Sequence, residues 1–469
     1  MKNDSNHTGS TWKKFLKIFG TSTLAIAMAL SLTGCGTATS TAPTQIVVWG
    51  FVDEDVFTPI IRDFKNSHKG IDVKYYKKDL DANYEDNALN SILSGQGPDV
   101  WAIPNDWVYR HKDKLAPTPD SLLTSAKLVP KDFFNSFVMS DCAFDNKMYA
   151  MPGSTDSLRV YYNQQLLTQA DDKIGNALRD DTDARSSLSR IISSLPATWE
   201  EFDKIIPWLT VKNGSQIQTA GAAIGTSNNV SYSQDILSLL MIQNSTKMLS
   251  DDLSQATFNL PVKNSSGVDT FPGKTALDFY TKYSNPGSAQ YTWNAGMPND
   301  IEAFVQGKVA IIFGYSGLAG HLNQVYPNFR FQTGLMPQVG NLNPIIDYAH
   351  YTTYTVPKES VAVSTAWSFI INNLATDQSG TYVAATKELP VSKTSDQTQP
   401  SLQSRTEVNT PGPQILSTMQ SWNKGRYPVD LDNQLKDAIN RVNARSQSSQ
   451  ASLDTAASNI TELLRKKTW

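Results

Sequence analysis

The order of apolar patterns along the chain predicts an α/β fold in two lobes, each built on a sheet flanked by helices. Strand and helix periods alternate from Gln45 to Ile103, and the alternation resumes beyond Ser157. A length of 469 residues points the same way, because it exceeds what one ordinary core accommodates.

Ile46-Val47-Val48-Trp49 reads as the first strand, and residues 55–64 set Val56, Ile60, Ile61 and Phe64 on one helical face. Residues 71–76 form a second strand, and an amphipathic helix over 85–93 follows. Gly95-Gln96-Gly97-Pro98 stops that helix ahead of a third strand at 99–103. Strands joined through helices imply a mostly parallel sheet with helices on both faces. In the second lobe, strands are expected at 157–162 and 309–313, with helices over 199–209, 234–243 and 275–283. Residues 431–464 carry Leu435, Ile439 and Val442, then Leu453, Ile460 and Leu464, at helical spacings, and should pack on that lobe. No repeat of solenoid length is present, and the low-complexity bias is confined to the Ser/Gln-rich run 446–452.

Hydrophobic residues make up 40% of the chain and charged residues 18%, which excludes both a disordered chain and a polytopic membrane protein. One segment could enter a bilayer: the apolar run 18–34 behind Lys13, Lys14 and Lys17, which has the layout of an export signal. Its loss, with four lysines and one acid in residues 1–34, moves the formal charge from −3 to −6. No basic surplus is then left to drive counterion release, so nucleic acid is not an expected partner. Only Cys35 and Cys142 would remain, and no disulfide framework is implied.

The run ends in Leu32-Thr33-Gly34-Cys35, which resembles the bacterial lipobox, and that resemblance implies acylation of Cys35 before cleavage. A diacylglyceryl thioether plus an N-terminal acyl chain exceeds the two-signal threshold for stable attachment to a membrane. The competing reading is an uncleaved N-terminal helix with an incidental Cys35, which the interruptions at Thr21, Ser22, Thr23 and Ser31 disfavour. Both place the body outside the cytoplasm. Residues 36–44 are small and polar and read, with Cys35, as a flexible tether.

Signatures of an exported hydrolase are few. Gly314-Tyr315-Ser316-Gly317 sets its second glycine one place early for G-x-S-x-G, and Gly225-Thr226-Ser227 continues into two asparagines. His7, His68, His111, His321 and His350 are isolated, so neither a zinc site nor any other metal site is expected. Gly307-Lys308 lacks the earlier glycine of a phosphate loop, no G-x-G-x-x-G occurs, and no cofactor is expected. Asp53 with Asp55, or Glu200 with Glu201, could serve as glycosidase carboxylates. Glu200 and Glu201 are better explained as first-turn acids favoured by a helix dipole. Tyr161-Tyr162 could suggest a phenolate site for ferric iron, but a strand would bury one ring and expose the other.

The positive signal is aromatic residues at the carboxyl ends of strands, where open α/β sheets bind ligands. Trp49-Gly50-Phe51-Val52-Asp53-Glu54 follows the first strand, and Pro104-Asn105-Asp106-Trp107 follows the third. An aromatic face beside Asp, Asn or Glu suits a sugar, which offers a C–H face and a rim of hydroxyls. Trp49 and Trp101 are assigned to the core, Trp107 and Trp293 to exposed platforms.

With these residues in view, the mature chain resembles the family 1 extracellular solute-binding proteins, the maltose-binding-protein-like receptors of ABC importers. The resemblance is carried in order by Trp49, Gly97-Pro98-Asp99-Val100, Met151-Pro152 through Tyr161-Tyr162-Asn163, and Thr198-Trp199-Glu200-Glu201-Phe202. It continues through Ala303-Phe304-Val305-Gln306-Gly307-Lys308-Val309-Ala310, Val356-Pro357-Lys358-Glu359-Ser360 and Ala366-Trp367-Ser368-Phe369-Ile370. It implies the periplasmic-binding-protein or Venus-flytrap fold, with mixed sheets, a hinge of crossing strands and a ligand in the interlobe cleft. By that analogy lobe one takes 45–157 and about 338–388, and lobe two about 158–337 and 389–469. The ligand-facing positions it implies are Phe51, Asp53, Glu54, Asn105, Asp106, Trp107, Asp156, Asn229, Tyr232, Tyr315 and Ser316, with Trp293, Tyr348, Tyr351 and Trp422 in looser register. One departure is an acid-rich insertion at 171–195, expected to be a solvated surface excursion.

The expected protein is therefore a monomeric, lipid-anchored receptor on the outer face of a bacterial cytoplasmic membrane, or in a periplasm. It would bind a mono- or oligosaccharide without cleaving it and pass it to ABC permease subunits. The alternatives are an exported glycoside hydrolase, a receptor for a non-sugar solute and a surface adhesion protein.

Overall fold

The computed structural model describes residues 44–340, 344–375, 380–386, 388–393 and 415–466. The export signal, Cys35 and nearly all of the tether lie outside these residues; Thr44 already belongs to the first strand, its N–H bonded to the Gly70 carbonyl.

Two five-stranded mixed sheets organise the chain. In the first, Ile71–Lys77, Thr44–Gly50 and Val100–Pro104 run parallel, and Thr352–Thr355 then pairs antiparallel with Val100–Pro104 on one side and Ala150–Pro152 on the other. All five residues of Val100–Pro104 are buried, as a central strand covered on both faces requires. The helix Glu54–Ser67 buries Phe57, Ile60 and Phe64, and Tyr84–Leu93 buries Tyr84, Ala88 and Ile92 at the same spacing. Trp101 is fully buried, but Trp49 is only half-buried, with the Lys78 ammonium 4.1 Å from its ring centroid. Trp49 still packs against the first core from its partly buried position, and the cation–π contact covers its ring on the outer side.

The second sheet has the order Phe331–Leu335, Arg159–Asn163, Val309–Gly314, Gln216–Ala222, Val211–Asn213. Arg159–Asn163 lies inside it, antiparallel to both neighbours. Tyr161 and Tyr162 are therefore both fully buried, against the expectation that one would face solvent. The helices Trp199–Leu209, Ser233–Gln243 and Pro272–Thr281 match the apolar periods closely. Thr198 caps the first of these by accepting the Glu201 N–H, and Glu200 and Glu201 stand in its first turn. Pro428–Asn443 and Ser449–Arg465 pack on each other, and Leu431, Leu435, Ile439, Leu453 and Ile460 join the second core.

The acid-rich insertion is not a loose excursion. Most of its residues fall in two helices, Gln164–Ala177 and Thr182–Ser194, that pack on each other and against Trp199–Leu209. Ile174, Ile191, Ile192 and Leu195 enter the second core, while Asp181 caps the latter helix through the Ala184 N–H at 3.0 Å. Asp172, Asp180, Asp181 and Asp183 are exposed, Asp171 accepts the Ser189 hydroxyl at 2.5 Å between the two helices, and the apolar residues recur at helical spacing.

Each sheet has its own hydrophobic core, and among the described residues the chain passes between the two cores three times. The first passage, 151–158, and the second, 344–349, meet as an antiparallel pair, Asp156–Ser157 against Ala349–His350. The third, 419–422, lies beside the second through a bridge between Tyr348 and Gln420. Leu389, Val391, Ile415, Leu416 and Met419 join the first core, and Trp422 and Leu431 join the second.

If the insertion is part of the core, Ile191→Ala should lower stability by about 2–5 kcal/mol in denaturant unfolding followed by circular dichroism. A loss under about 0.5 kcal/mol would mark it as surface after all.

Candidate functional site

The passages between the cores lie beside the ends of strands from both sheets, and the buried Asp156, Asp347 and Lys424 sit on or next to them. In the first lobe, Val100–Pro104 runs into a 3-10 turn, Asn105–Trp107. Asn105 extends the strand ladder by side chain as well as backbone: its N–H donates to the Tyr351 carbonyl at 3.0 Å and its Oδ1 accepts the Tyr351 N–H at 3.1 Å. Its Nδ2 donates to Asp141 at 2.9 Å, so no end of the amide is left to reach outward. Asp106 then faces Lys424, and Trp107 remains half-buried, packed on the first core with its ring centroid 6.1 Å from that of His111.

In the second lobe, Val309–Gly314 ends at Tyr315, ahead of the helix Ser316–Val325. Tyr315 donates its hydroxyl to Asp235 at 3.0 Å, and its ring lies 5.1 Å edge-on from Tyr232 and 5.5 Å from His350. Asp156, on the first passage, accepts both the N–H and the hydroxyl of Ser316 at 2.7 Å, and its other oxygen takes the Ser157 N–H at 2.8 Å. This carboxylate fastens a crossing strand to the loop behind Val309–Gly314. Burial pushes its pKa up, against the pull of Arg159.

Between the lobes lies Lys424, 2% exposed, with its ammonium 3.0 Å from Asp106 and 2.8 Å from Asp432. Burial alone would lower its pKa, but Asp432, Tyr348 and Asp106 around it outweigh burial and hold it well above the ordinary lysine range. Asp106 is in turn held below the usual carboxylate range, because Lys424 and His350 together outweigh its burial. Its Oδ1 is buried without a hydrogen-bond partner. Asp432 goes the other way, pushed up to about 6 by burial.

The structure therefore divides the expected ligand-facing residues into three groups. Asp106, Asp156, Tyr232, Tyr315 and Ser316 gather at the boundary between the lobes, with Tyr348 and Trp422 buried beside them and Trp107, next to Asp106 in sequence, packed on the first core. Asn105, Tyr351, Asn229 and Trp293 are internal supports. Trp293, expected as an exposed platform, is fully buried with its indole N–H donated to Asn229 at 3.1 Å, and Asn229 also bonds the carbonyls of Asn294 and Met297. The first-strand loop falls outside: Phe51 packs edge-on against Tyr84, Glu54 is exposed, and Asp53 is exposed and paired with Lys77 at 2.5 Å. Lys424, Asp432, Asp235 and His350 were not anticipated as members. Only Trp422, two residues before Lys424, pointed to that stretch.

Among the described residues no group of three or more His, Cys, Asp or Glu side chains is arranged to hold a metal ion. None of the described helices is long and apolar enough to cross a membrane.

Asp347, on the second passage, is pushed up to about 7 by burial, with its Tyr348 N–H bond and Arg159 opposing. Glu388 is pushed up to about 7 as well, by burial and the nearby Asp156. In the unfolded chain such carboxyls titrate near 4. Their contribution to stability is fully present below that value and is lost as pH rises through about 7. Melting temperature should thus fall between about pH 4 and pH 7, and Asp347→Asn should flatten that fall in scanning calorimetry. An equally steep fall in the variant would show that Asp347 does not carry it.

Residues 60–410 match the sequence model of a family described as bacterial extracellular solute-binding protein. No curated protein sequence matches the chain. Among solved structures, the cyclic α-maltosyl-1,6-maltose binding protein of Arthrobacter globiformis is similar at 19% identity and a TM-score of 0.68, over 90% of this chain and 99% of its own. An ABC transporter solute-binding protein of Thermotoga lettingae, bound with α-D-tagatose, is similar at 18% identity and a TM-score of 0.65, over 90% of this chain and all (100%) of its own. A sugar-binding protein of Xanthomonas citri gives 18% identity and a TM-score of 0.67 over 90% and 97% of the two chains. At such identities the likeness establishes a shared fold.

Proposed function

The chain belongs to the bacterial extracellular solute-binding proteins, and from that premise we propose that it captures a mono- or oligosaccharide between its lobes for an ABC importer. The observation that carries this reading is the meeting, at strand ends from both sheets, of aromatic rings with hydrogen-bonding groups. Tyr232 and Tyr315, with Trp107 next to Asp106 in sequence, offer apolar faces, while Asp106 and Ser316 offer polar atoms at the boundary. A sugar's C–H face and hydroxyl rim call for that combination. The unpartnered Oδ1 of Asp106 is suited to accept a ligand hydroxyl. Similar structures whose ligands are tagatose and cyclic maltosyl-maltose support a sugar as the solute class.

In this reading the lobes are 44–157 with the described residues of 349–419, and 158 to about 337 with 422–466, hinged on the three passages. Rotation about those passages closes the lobes on the ligand, and the closed face engages a permease. Binding without bond cleavage is the whole activity, in a monomer anchored through Cys35 to the outer face of the cytoplasmic membrane. The anchor holds the receptor at high local concentration beside its transporter.

Calorimetry with tagatose, maltotetraose and mannobiose should show binding of at least one neutral sugar, and Trp107→Ala should weaken it about tenfold through loss of one stacking face. The reading fails if none of them binds, and the Trp107 assignment fails if the variant binds as tightly as the parent. In cells, Cys35→Ala should move the protein from the membrane fraction to the soluble exported fraction. Retention on the membrane would rule out the lipid anchor.

A further inference from the structure

We propose that Asp141, which has no place in the wall of the candidate site, is the positioning residue that sets the first-lobe side of it. The proposal rests on the sugar-binding reading above.

Asp141 lies on the short helix Ser136–Cys142, 3% exposed. Its carboxylate accepts the Asn105 amide at 2.9 Å, the Tyr351 hydroxyl at 2.7 Å and the Ser421 hydroxyl at 2.7 and 2.8 Å. The three donors come from three separate parts of the chain, and each adjoins a residue of the site. Asn105 is followed by Asp106 and Trp107, Tyr351 is preceded by His350, and Ser421 leads into Trp422 and Lys424. One carboxylate thus fixes the relative placement of the loop after Val100–Pro104, the returning strand and the third passage. Among the described residues it has no ion-pair partner, so neutral donors alone compensate its charge. A buried charge without a counter-ion is costly, and apolar packing would hold the same segments at less cost. What the carboxylate supplies beyond packing is direction, since three donors converge on two oxygens and each angle is fixed. Burial pushes its pKa up to about 6, opposed by the same three hydrogen bonds, and the nearby Asp106 adds to the rise.

This changes the role of two residues expected to touch ligand. Asn105 donates its Nδ2 and Tyr351 its hydroxyl to Asp141, and both act through it. Trp107, Asp106 and Lys424 remain as the groups being placed.

The test compares Asp141→Asn, Tyr351→Phe and Ser421→Ala with the parent, by amide hydrogen exchange without ligand and by calorimetry with the neutral sugar that the parent binds best among tagatose, maltotetraose and mannobiose. Asp141→Asn turns one acceptor into a donor facing three donors. Exchange should accelerate at least about tenfold in residues 105–108 and 421–424, and stay unchanged in the second-lobe strands Arg159–Asn163 and Val309–Gly314. Sugar affinity should fall at least about tenfold at a temperature where the variant is fully folded, with smaller falls for Tyr351→Phe and Ser421→Ala. Uniformly faster exchange, or an affinity within about twofold of the parent, would reduce Asp141 to a structural group and overturn the proposal. Should Asp141→Asn fail to fold, the two single-donor variants decide by the same readouts. If the parent binds none of the sugars, the sugar reading fails while the exchange measurement still decides the positioning role.

Discussion

The ammonium of Lys424 is the constraint on which the arrangement of the site depends. It is the group that touches acids from both lobes, Asp106 at the end of a first-lobe strand and Asp432 on a second-lobe helix, with almost no access to water. Removing one member of a buried ion group costs about 3–5 kcal/mol, because the charges left behind have no solvent to replace it. The segment that carries Lys424 is fastened on the first-lobe side as well, by Arg426 to Asp113 at 2.8 Å and by Arg110 to the Arg426 carbonyl at 2.9 Å. The segment that follows the third passage is consequently tied to residues of both cores.

Much of the fold was legible in the sequence because its strands and helices differ sharply in period. Val100–Pro104 is an unbroken buried run, and Glu54–Ser67 repeats Phe57, Ile60 and Phe64 on one face. What was misread had a common cause, the use of local polarity as a guide to burial. The 171–195 stretch is rich in acids, yet its isoleucines fall on one face of two paired helices. Tyr161 and Tyr162 alternate faces as any strand must, but both faces of a central strand are covered. Trp293 has the flanks of a loop residue, and only the tertiary contact with Asn229 reveals it as internal.

The site was legible to the extent that strand ends mark it. Asp106, and Tyr315 with Ser316, follow strands of different lobes and do stand at the boundary. The first-strand loop obeys the same rule and yet lies elsewhere, since Asp53 and Glu54 begin a helix on the solvent side. Lys424, Asp432 and Asp141 were invisible because each matters through a partner, most of them hundreds of residues away, and single residues carry no mark of such pairing.

Neither lobe is continuous in the chain. Thr352–Thr355 slots between Val100–Pro104 and Ala150–Pro152, so the first sheet stays open until all five strands of the second sheet have been made. The second core in turn waits for Pro428–Asn443 and Ser449–Arg465. Closing such distant pairings is entropically expensive and slow, and it keeps apolar surface uncovered while the chain is incomplete. The two lobes are therefore committed to mature together, each supplying the delay that the other must wait out.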